Sequence, residues 1–412
     1  MRAAVYQLVL LAAVLWLGYH FVLNAKLNLD ALKITSGFGF LDHTAGFSIN
    51  QSLISYHEAD TYGRVFLVGL LNTLLVAALG IVLATMLGFV IGIARLSPNW
   101  LVARLAGGYV ELIRNLPLLF QLLFWYLAVL GTLPGPRQSI GIGWQPIVAR
   151  VADALEWLQR YGLPAAAGRW GRSLAETIGA PEVYLNSRGL FVPRPIFSEG
   201  AEFVGAAFLL AIVAAIGLRL WAVRRRERTG VQFPVVWATL GLIVGMPIAT
   251  LAVLGFPIGF ERPELQRFNI VGGVRLFPEF VALLFALTTY TAAFIAEVVR
   301  AGISAVPRGQ TEAALALGLR RGLMLRLVIV PQALRVIVPP LTNQYLNLTK
   351  NSSLAVAIGY PDLVAVFAGT ALNQTGQAIE IIAITMAVYL SISLVTSALM
   401  NWYNARIRLT ER

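Results

Sequence analysis

The stretch VFLVGLLNTLLVAALGIVLATMLGFVIGIA, Val65 to Ala94, carries no charged side chain, and Arg64 and Arg95 close it at its two ends. A helix that crosses the hydrocarbon core of a bilayer needs about 20 mainly apolar residues, so this stretch is long enough to span a membrane. Small residues recur in it at every fourth position, at Gly80, Ala84, Gly88 and Gly92. Small residues at this spacing let a second helix approach closely. We therefore predict a membrane helix that packs tightly against a neighbour.

The chain as a whole is also unusually apolar. Hydrophobic residues make up 58% of the 412 residues and charged residues 13%, whereas a soluble domain carries about 25% charged residues. Further apolar runs bring the expected spans to about eight; they cover residues 3–23, 115–136, 203–218, 229–260, 280–296, 336–349 and 381–405. The run 336–349 contains Pro339-Pro340, which predicts a broken helix there. The fold class we expect is an all-α polytopic membrane protein.

Basic residues predict the orientation, because they are enriched in cytoplasmic segments. With the N-terminus inside and the spans alternating, 18 basic residues fall inside and 14 outside. Seven of the 14 lie in one long loop, from Arg137 to Arg194, and long loops cross the membrane largely regardless of charge. We expect both termini in the cytoplasm.

Several kinds of function are excluded or disfavoured. The net charge is +12, but most arginines sit in short segments between apolar runs, which indicates membrane topology and no nucleic acid partner. There is no Cys, and the three His residues lack metal-ligand spacing, so we expect no metal site. Lys26, Lys33 and Lys350 are the only lysines and none follows a Gly, so the chain has no Walker A motif. We expect no catalytic centre and no cofactor in this chain.

One segment between two expected spans has the features of a docking helix. Pro307 and Gly309 favour a turn, the next residues are good helix formers, and Gly318 can end the helix. Ala313 and Ala314 would let another surface approach closely. We predict a short helix on the cytoplasmic face that fits a groove in a partner.

The same segment resembles a known signature. Glu312-Ala313-Ala314, followed by Gly318 and by Val328-x-Val330-Pro331, resembles the EAA signature of permeases from binding-protein-dependent ABC importers. The resemblance implies that this segment is the coupling helix that docks on a separate ATP-hydrolysing subunit, which would bind ATP and Mg²⁺. The coupling residues it implies are Glu312, Ala313, Ala314, Gly318 and Pro331.

Flanking stretches resemble the polar amino acid uptake subfamily: residues 113–119, 296–302 and 347–354. The additions to the minimal pattern are similar to the larger permeases of general L-amino-acid, or glutamate/glutamine/aspartate/asparagine, transporters. The resemblance implies an amino acid substrate, a periplasmic binding protein, a second permease that is a paralogue, and the inner membrane of a Gram-negative bacterium. It covers two blocks with five core spans.

The expected organisation has five parts. They are an N-terminal transmembrane helix (1–23), a periplasmic segment (24–62), the first part of the permease core (63–133), an insertion with a periplasmic loop and two extra spans (134–277), and the second part of the core (278–412), with the EAA segment at about 300–331. Within the insertion, apolar spacing predicts an amphipathic helix from Pro146 to Tyr161.

Polar side chains follow one face of the seventh expected span. Asn343, Asn347 and Lys350 are spaced i, i+4 and i+7, with Asn351 beside them. Amides and one cation could line the path of an amino acid, with Tyr290 on the sixth span as a weaker candidate. Hydrogen bonding between helices would explain the Asn residues equally well. Glu111 and Arg114, three residues apart, are expected to form an ion pair.

Two other classes of protein remain open. A stand-alone secondary transporter or channel would explain the spans and the polar face, but not the Glu-Ala-Ala segment. A membrane-embedded enzyme would need a catalytic set of residues, and none stands out.

Overall fold

The structure is a computed structural model, and it describes residues 2–31, 37–143, 183–231, 233–253, 258–267 and 269–407. The expected amphipathic helix from Pro146 to Tyr161 lies outside these residues. The chain divides into two compact units. One comprises Met1–Gly131 and Pro278–Arg412, here called the core unit, and the other comprises Thr132–Phe277, here called the insertion unit.

The core unit is helical. Its helices are α1 (Arg2–Ala31), α2 (Tyr62–Ala94), α3 (Trp100–Asn115), α4 (Leu118–Leu123), α7 (Pro278–Ser304), α8 (Arg308–Ala316), α9 (Arg321–Met324), α10 (Val330–Asn351), α11 (Leu372–Thr375) and α12 (Ala378–Ile407). α5 and α6 belong to the insertion unit. Short 3₁₀ or π-helical segments extend several of these elements, at Phe38–Asp42, Phe124–Leu130, Leu325–Ile329, Ser352–Ile358 and Val364–Ala371.

The centre of the core unit is the tight packing of α2 on α7. Ala84, Gly88 and Gly92 on α2 are buried. A Cβ atom added to Gly88 would lie 2.6 Å from the Cβ of Ile295, and one added to Gly92 would lie 2.8 Å from the carbonyl oxygen of Ala296. Any side chain at these positions would therefore push the helices apart. The close approach expected from the small-residue spacing is confirmed.

A second buried cluster joins the start of α2 to the end of the chain. Phe40, Val65, Leu363, Phe367 and Ile381 pack together with less than a tenth of their surface exposed. The buried amide of Asn72 donates to the carbonyl oxygens of Gln51 (2.9 Å) and Pro361 (2.8 Å). These contacts hold the segment before α2 against the turn that follows α10.

Among the described residues, six helical stretches are long and apolar enough to cross a membrane, and a bent pair could supply a seventh. The six are Val5–Asn24, Tyr62–Ala94, Ala201–Thr229, Pro278–Ser304, Arg321–Ile358 and Ala378–Ala405. The sequence predicts about eight, and two of its spans differ from the structure. The run 115–136 is one arm of a bend of 106° between Trp100–Asn115 and Leu118–Leu130, because Pro117 keeps the residue before it out of the helical conformation. The run 229–260 contains a shorter helix that starts at Val235, and a strand begins at Ile258.

The expected break at Pro339-Pro340 is wrong. Both prolines lie inside the continuous helix α10. Each lacks an N–H and so leaves one carbonyl group of the preceding turn without its helical hydrogen bond. Ile337, Val338 and Leu341 on either side are buried where α10 packs on α7 and α12. This packing maintains the helix through the two prolines.

The insertion unit contains two helices that pack on each other, α5 (Ala201–Thr229) and α6 (Val235–Val253). Its described residues also form eight short strands: β1 (Ile140–Ile142), β2 (Val183–Asn186), β3 (Gly189–Val192), β4 (Arg194–Phe197), β5 (Ile258–Glu261), β6 (Glu264–Gln266), β7 (Asn269–Val271) and β8 (Val274–Leu276). They form an antiparallel sheet in the order β1-β2-β3-β8 and two antiparallel pairs, β4-β5 and β6-β7. The apolar runs of the sequence predict the two helices but not the strands.

Candidate functional site

The Glu-Ala-Ala segment forms the short helix α8, whose end is set by Gly318. The N–H of Gly318 donates to the carbonyl oxygen of Leu315 (2.9 Å), and the N–H of Leu319 donates to that of Ala314 (3.1 Å). This pair of bonds is the Schellman arrangement, which needs a residue in the left-handed conformation at the position of Gly318. Gly318 has a φ of +71°. The expectation that Gly318 ends the helix is confirmed.

α8 has one face inside the core unit and one face exposed. Ala314 is buried and packs with Met324 and Ile329. Glu312, Ala313 and Leu315 are exposed, and Leu317 is 81% exposed. Within the described part of the chain, the carboxylate of Glu312 makes no hydrogen bond or ion pair. α8 and the residue that follows it therefore present an acid, a small residue and two leucines that are exposed in the described part of the chain.

The elements on both sides tie α8 to the membrane helices. α7 ends at Ser304, four residues before α8 begins at Arg308. Pro331 is the second residue of α10, which continues directly from the π-helical segment Leu325–Ile329. The side-chain amide of Gln332 donates to that of Gln310 across this junction (3.3 Å). A displacement of α8 would thus act directly on the ends of α7 and α10.

A cluster of charged side chains, which the sequence analysis did not foresee, lies near the end of α7. The Glu297 carboxylate accepts hydrogen bonds from Arg95 at the end of α2 and from Arg300 one turn further along α7 (Nη2 to Oε1, 2.6 Å). Arg114 on α3 lies 3.9 Å from the same carboxylate, and its guanidinium sits over the ring of Phe294. The expected ion pair between Glu111 and Arg114 is therefore wrong, because the acid on α7 draws Arg114 away. The only sign of this charged cluster in the sequence is the Glu-x-x-Arg spacing of Glu297 and Arg300 at the end of an apolar run.

The polar face of α10 is exposed. The side chains of Asn343, Asn347 and Lys350 are exposed, while Leu348 and Thr349 on the opposite side are buried. Within the described residues, none of these three side chains makes a hydrogen bond or an ion pair. Hydrogen bonding between the described helices therefore does not account for them. Polar side chains at membrane depth usually face a cavity or a protein partner.

The other two residues of the expected substrate path are less open. Asn351 and Tyr290 are half-buried. The Tyr290 ring packs on Phe294, with ring centroids 4.9 Å apart. Among the described residues, no hydrogen bond joins Tyr290 to the polar face of α10.

Apolar spans around an exposed Glu-Ala-Ala helix define a membrane permease. Comparison with known proteins identifies the family to which it belongs. Residues 208–409 match the family described as "Binding-protein-dependent transport system inner membrane component". The chain is 49% identical to "General L-amino acid transport system permease protein AapQ" of Rhizobium johnstonii, over 100% of this chain and 93% of that protein. It is 49% identical to "Putative amino-acid ABC transporter permease protein YhdX" of Escherichia coli K12, over 100% and 95%.

A third relative is also named as an amino acid transport permease. The chain is 43% identical to "Glutamate/glutamine/aspartate/asparagine transport system permease protein BztB" of Rhodobacter capsulatus, over 98% of this chain and 92% of that protein. The chain belongs to the family of binding-protein-dependent transport system permeases, which are multi-pass inner membrane proteins. The resemblance first seen in the Glu-Ala-Ala segment is thus confirmed.

Proposed function

We propose that this chain forms half of the membrane pathway of an ATP-driven importer for L-amino acids. The observation that carries the proposal is the exposed face of α8, on which Glu312 makes no hydrogen bond or ion pair with any other described residue. The relatives reported above are named for amino acid transport, which supports the substrate class.

The energy source in this proposal is a separate ATPase subunit, which binds ATP and Mg²⁺. The coupling residues are Glu312, Ala313, Ala314, Gly318 and Pro331. Closure of the ATPase pair on ATP would move α8, and α8 would move the ends of α7 and α10 to which it is joined. The Glu297 cluster fastens α2 and α3 to the same end of α7, so these helices would move together.

The remaining partners complete the pathway. A second permease, which we take to be a paralogue, would supply the other half, and a periplasmic binding protein would deliver the amino acid. Lipid would cover the apolar outer surface of the helices. The distribution of basic residues favours both termini in the cytoplasm, and we take the membrane to be the inner membrane of a Gram-negative bacterium. Five core spans and the additional helices at 1–31 and 201–253 would bring the total to about eight.

The substrate path in this proposal follows the exposed polar face of α10. Asn343, Asn347 and Asn351 offer amide groups, and Lys350 offers a cation for a carboxylate. Tyr290 on α7 would be a secondary contact. A face that is unpartnered within one subunit is suited to a water-filled path between two.

Reconstitution tests the proposal. The chain is co-expressed with an ATPase, a second permease and a binding protein from the same organism, and the purified complex is placed in vesicles that contain ATP. We expect uptake of labelled L-amino acids that requires both ATP and the binding protein. Uptake by the chain alone, driven by an ion gradient, would instead favour a secondary transporter.

A further inference from the structure

An open cavity of about 730 Å³ lies at the surface of the core unit, beside the end of α2 and along α3. It is lined by Arg95, Trp100, Ala103, Arg104, Gly107, Gly108, Glu111 and Arg300. Cavities of roughly 300–1,000 Å³ with a few placed polar groups are typical of small-molecule sites. Neither the coupling helix nor the polar face of α10 contributes to its lining.

Opposite charges face this cavity from one helix. Arg104 and Glu111 are seven residues apart on α3, which places them on the same face about 10 Å apart along the axis. Within the described residues, neither side chain makes a hydrogen bond or an ion pair. The cavity therefore has a positive end and a negative end, and both are available to a ligand.

Two further guanidinium groups, of Arg95 and Arg300, also line the cavity. Arg95 donates to Glu297 only through Nη1, and Arg300 only through Nε and Nη2. The other N–H groups of both arginines remain without a hydrogen bond in the described residues. Because Glu297 fixes the positions of these two side chains, the remaining donors are held in place for an anionic ligand.

Small residues keep the space between the two ends open. A Cβ atom added to Gly107 or Gly108 would meet no atom within 4 Å. Ala103, one turn before Gly107, lines the same surface. The side chains of α3 thus leave room for a ligand to lie between Arg104 and Glu111.

We propose that this cavity binds a free acidic amino acid, with its carboxylates on Arg104, Arg95 and Arg300 and its ammonium group on Glu111. Three arginines and one glutamate match a ligand with two carboxylates and one ammonium. The proposal rests on the proposed function and adds a site separate from the face of α10. In the proposed orientation the cavity lies at the cytoplasmic ends of α2 and α7, so its ligand is an amino acid that is leaving the transporter or re-entering from the cytoplasm.

Equilibrium binding of labelled L-glutamate to the purified complex, with its ATPase and second permease but without the binding protein, tests this site. We expect saturable binding that Arg104→Gln and Glu111→Gln each weaken at least ten-fold. Arg224→Gln, an exposed arginine of the insertion unit, should leave binding unchanged. N-acetyl-L-glutamate lacks the ammonium group, so the wild type should bind it more weakly than L-glutamate, whereas Glu111→Gln should bind the two alike.

The outcomes separate this proposal from the proposed function. A wild-type complex that imports amino acids but shows no saturable L-glutamate binding overturns the cavity site alone. The site is also overturned if Lys350→Met abolishes binding while Arg104→Gln does not. The site is likewise overturned if phosphatidylethanolamine, a zwitterionic phospholipid, co-purifies in the cavity and is not displaced by L-glutamate. A wild-type complex that does not import at all counts against the proposed function instead.

Discussion

Glu297 is a single carboxylate that faces three guanidinium groups. Arg95 and Arg300 donate to it directly and Arg114 lies 3.9 Å away. These three arginines come from α2, α7 and α3, so one acid joins three helices. Without the acid the three positive charges would repel one another at the edge of the membrane.

Glu297→Gln should lower the stability of the core unit. The side chains of Arg95 and Glu297 are 15% and 26% exposed, so the loss lies between that of a surface pair and that of a buried pair, about 1–2 kcal/mol. The measurement is thermal unfolding of the purified complex. Glu279→Gln on the same helix is the matched control, because glutamine can still accept the hydrogen bond from Tyr126. Equal melting temperatures for the two variants would show that Glu297 does not hold the helices together.

Lys350→Met and Asn347→Leu should lower uptake severalfold while the complex remains assembled. Both side chains are exposed and have no partner in the described part of the chain, so their replacement should change stability by less than about 0.5 kcal/mol. Lys350→Met should reduce uptake of acidic amino acids more than that of neutral ones, because it removes a cation. Lys350→Arg keeps the charge and serves as the control. Normal uptake by both variants would place the substrate path elsewhere.

At the level of single helices, sequence patterns predicted the features that depend on nearby residues, but not those that depend on contacts between distant residues. The end of α8 at Gly318 and the close approach along Gly88 and Gly92 were predictable, because each depends on residues near in sequence or on a simple spacing. The continuity of α10 through Pro339-Pro340 was not, since packing by other helices overrides the local preference. The Glu297 cluster joins residues up to 202 positions apart, and no local pattern shows such a pairing.

Glu312→Lys and Gly318→Asp should abolish uptake without preventing membrane insertion. The first reverses the charge on the exposed face of α8. The second places a side chain at a φ of +71°, which costs roughly 1–2 kcal/mol and adds an anion beside the docking face. Uptake and the amount of ATPase that co-purifies are measured. Gly309→Ala, at a glycine with ordinary backbone geometry and open space around it, should retain both. If both test variants transport normally, α8 is not the coupling helix.

Gly88→Leu should destabilise the packing of α2 on α7. The added side chain would overlap Ile295 and the backbone of Ala292, and overpacking of this kind costs about 1–3 kcal/mol. Gly18→Leu, on a helix where a Cβ meets nothing within 4 Å, is the matched control. The yield of assembled complex in the membrane and its melting temperature are compared. A Gly88→Leu protein as stable as the Gly18→Leu protein would contradict the close approach of the two helices.

At the scale of the whole molecule, the sequence predicted the secondary structure of the core unit better than that of the insertion unit. The helices α5 and α6 follow from apolar runs, but the strands β2 and β3 are only four residues each. Their pairing with β1 and β8 depends on residues up to about 90 positions apart. Short strands with distant partners give no periodic signal long enough to recognise.

We expect the two ends of α5 to lie on opposite sides of the membrane. Because the chain contains no Cys, single introduced cysteines can test this orientation. The charge distribution places the segment 135–202 outside the cell membrane and the arginine-rich end of α5 inside. A single cysteine from Ser198→Cys, an exposed position just before α5, should react with an impermeant maleimide in cells with a permeable outer membrane. A cysteine from Thr229→Cys, exposed at the other end of α5, should react only after the inner membrane is disrupted. The two positions flank one apolar helix, so they should give opposite results. The reverse pattern would place both termini outside, and labelling of both in intact cells would show that α5 does not cross the membrane.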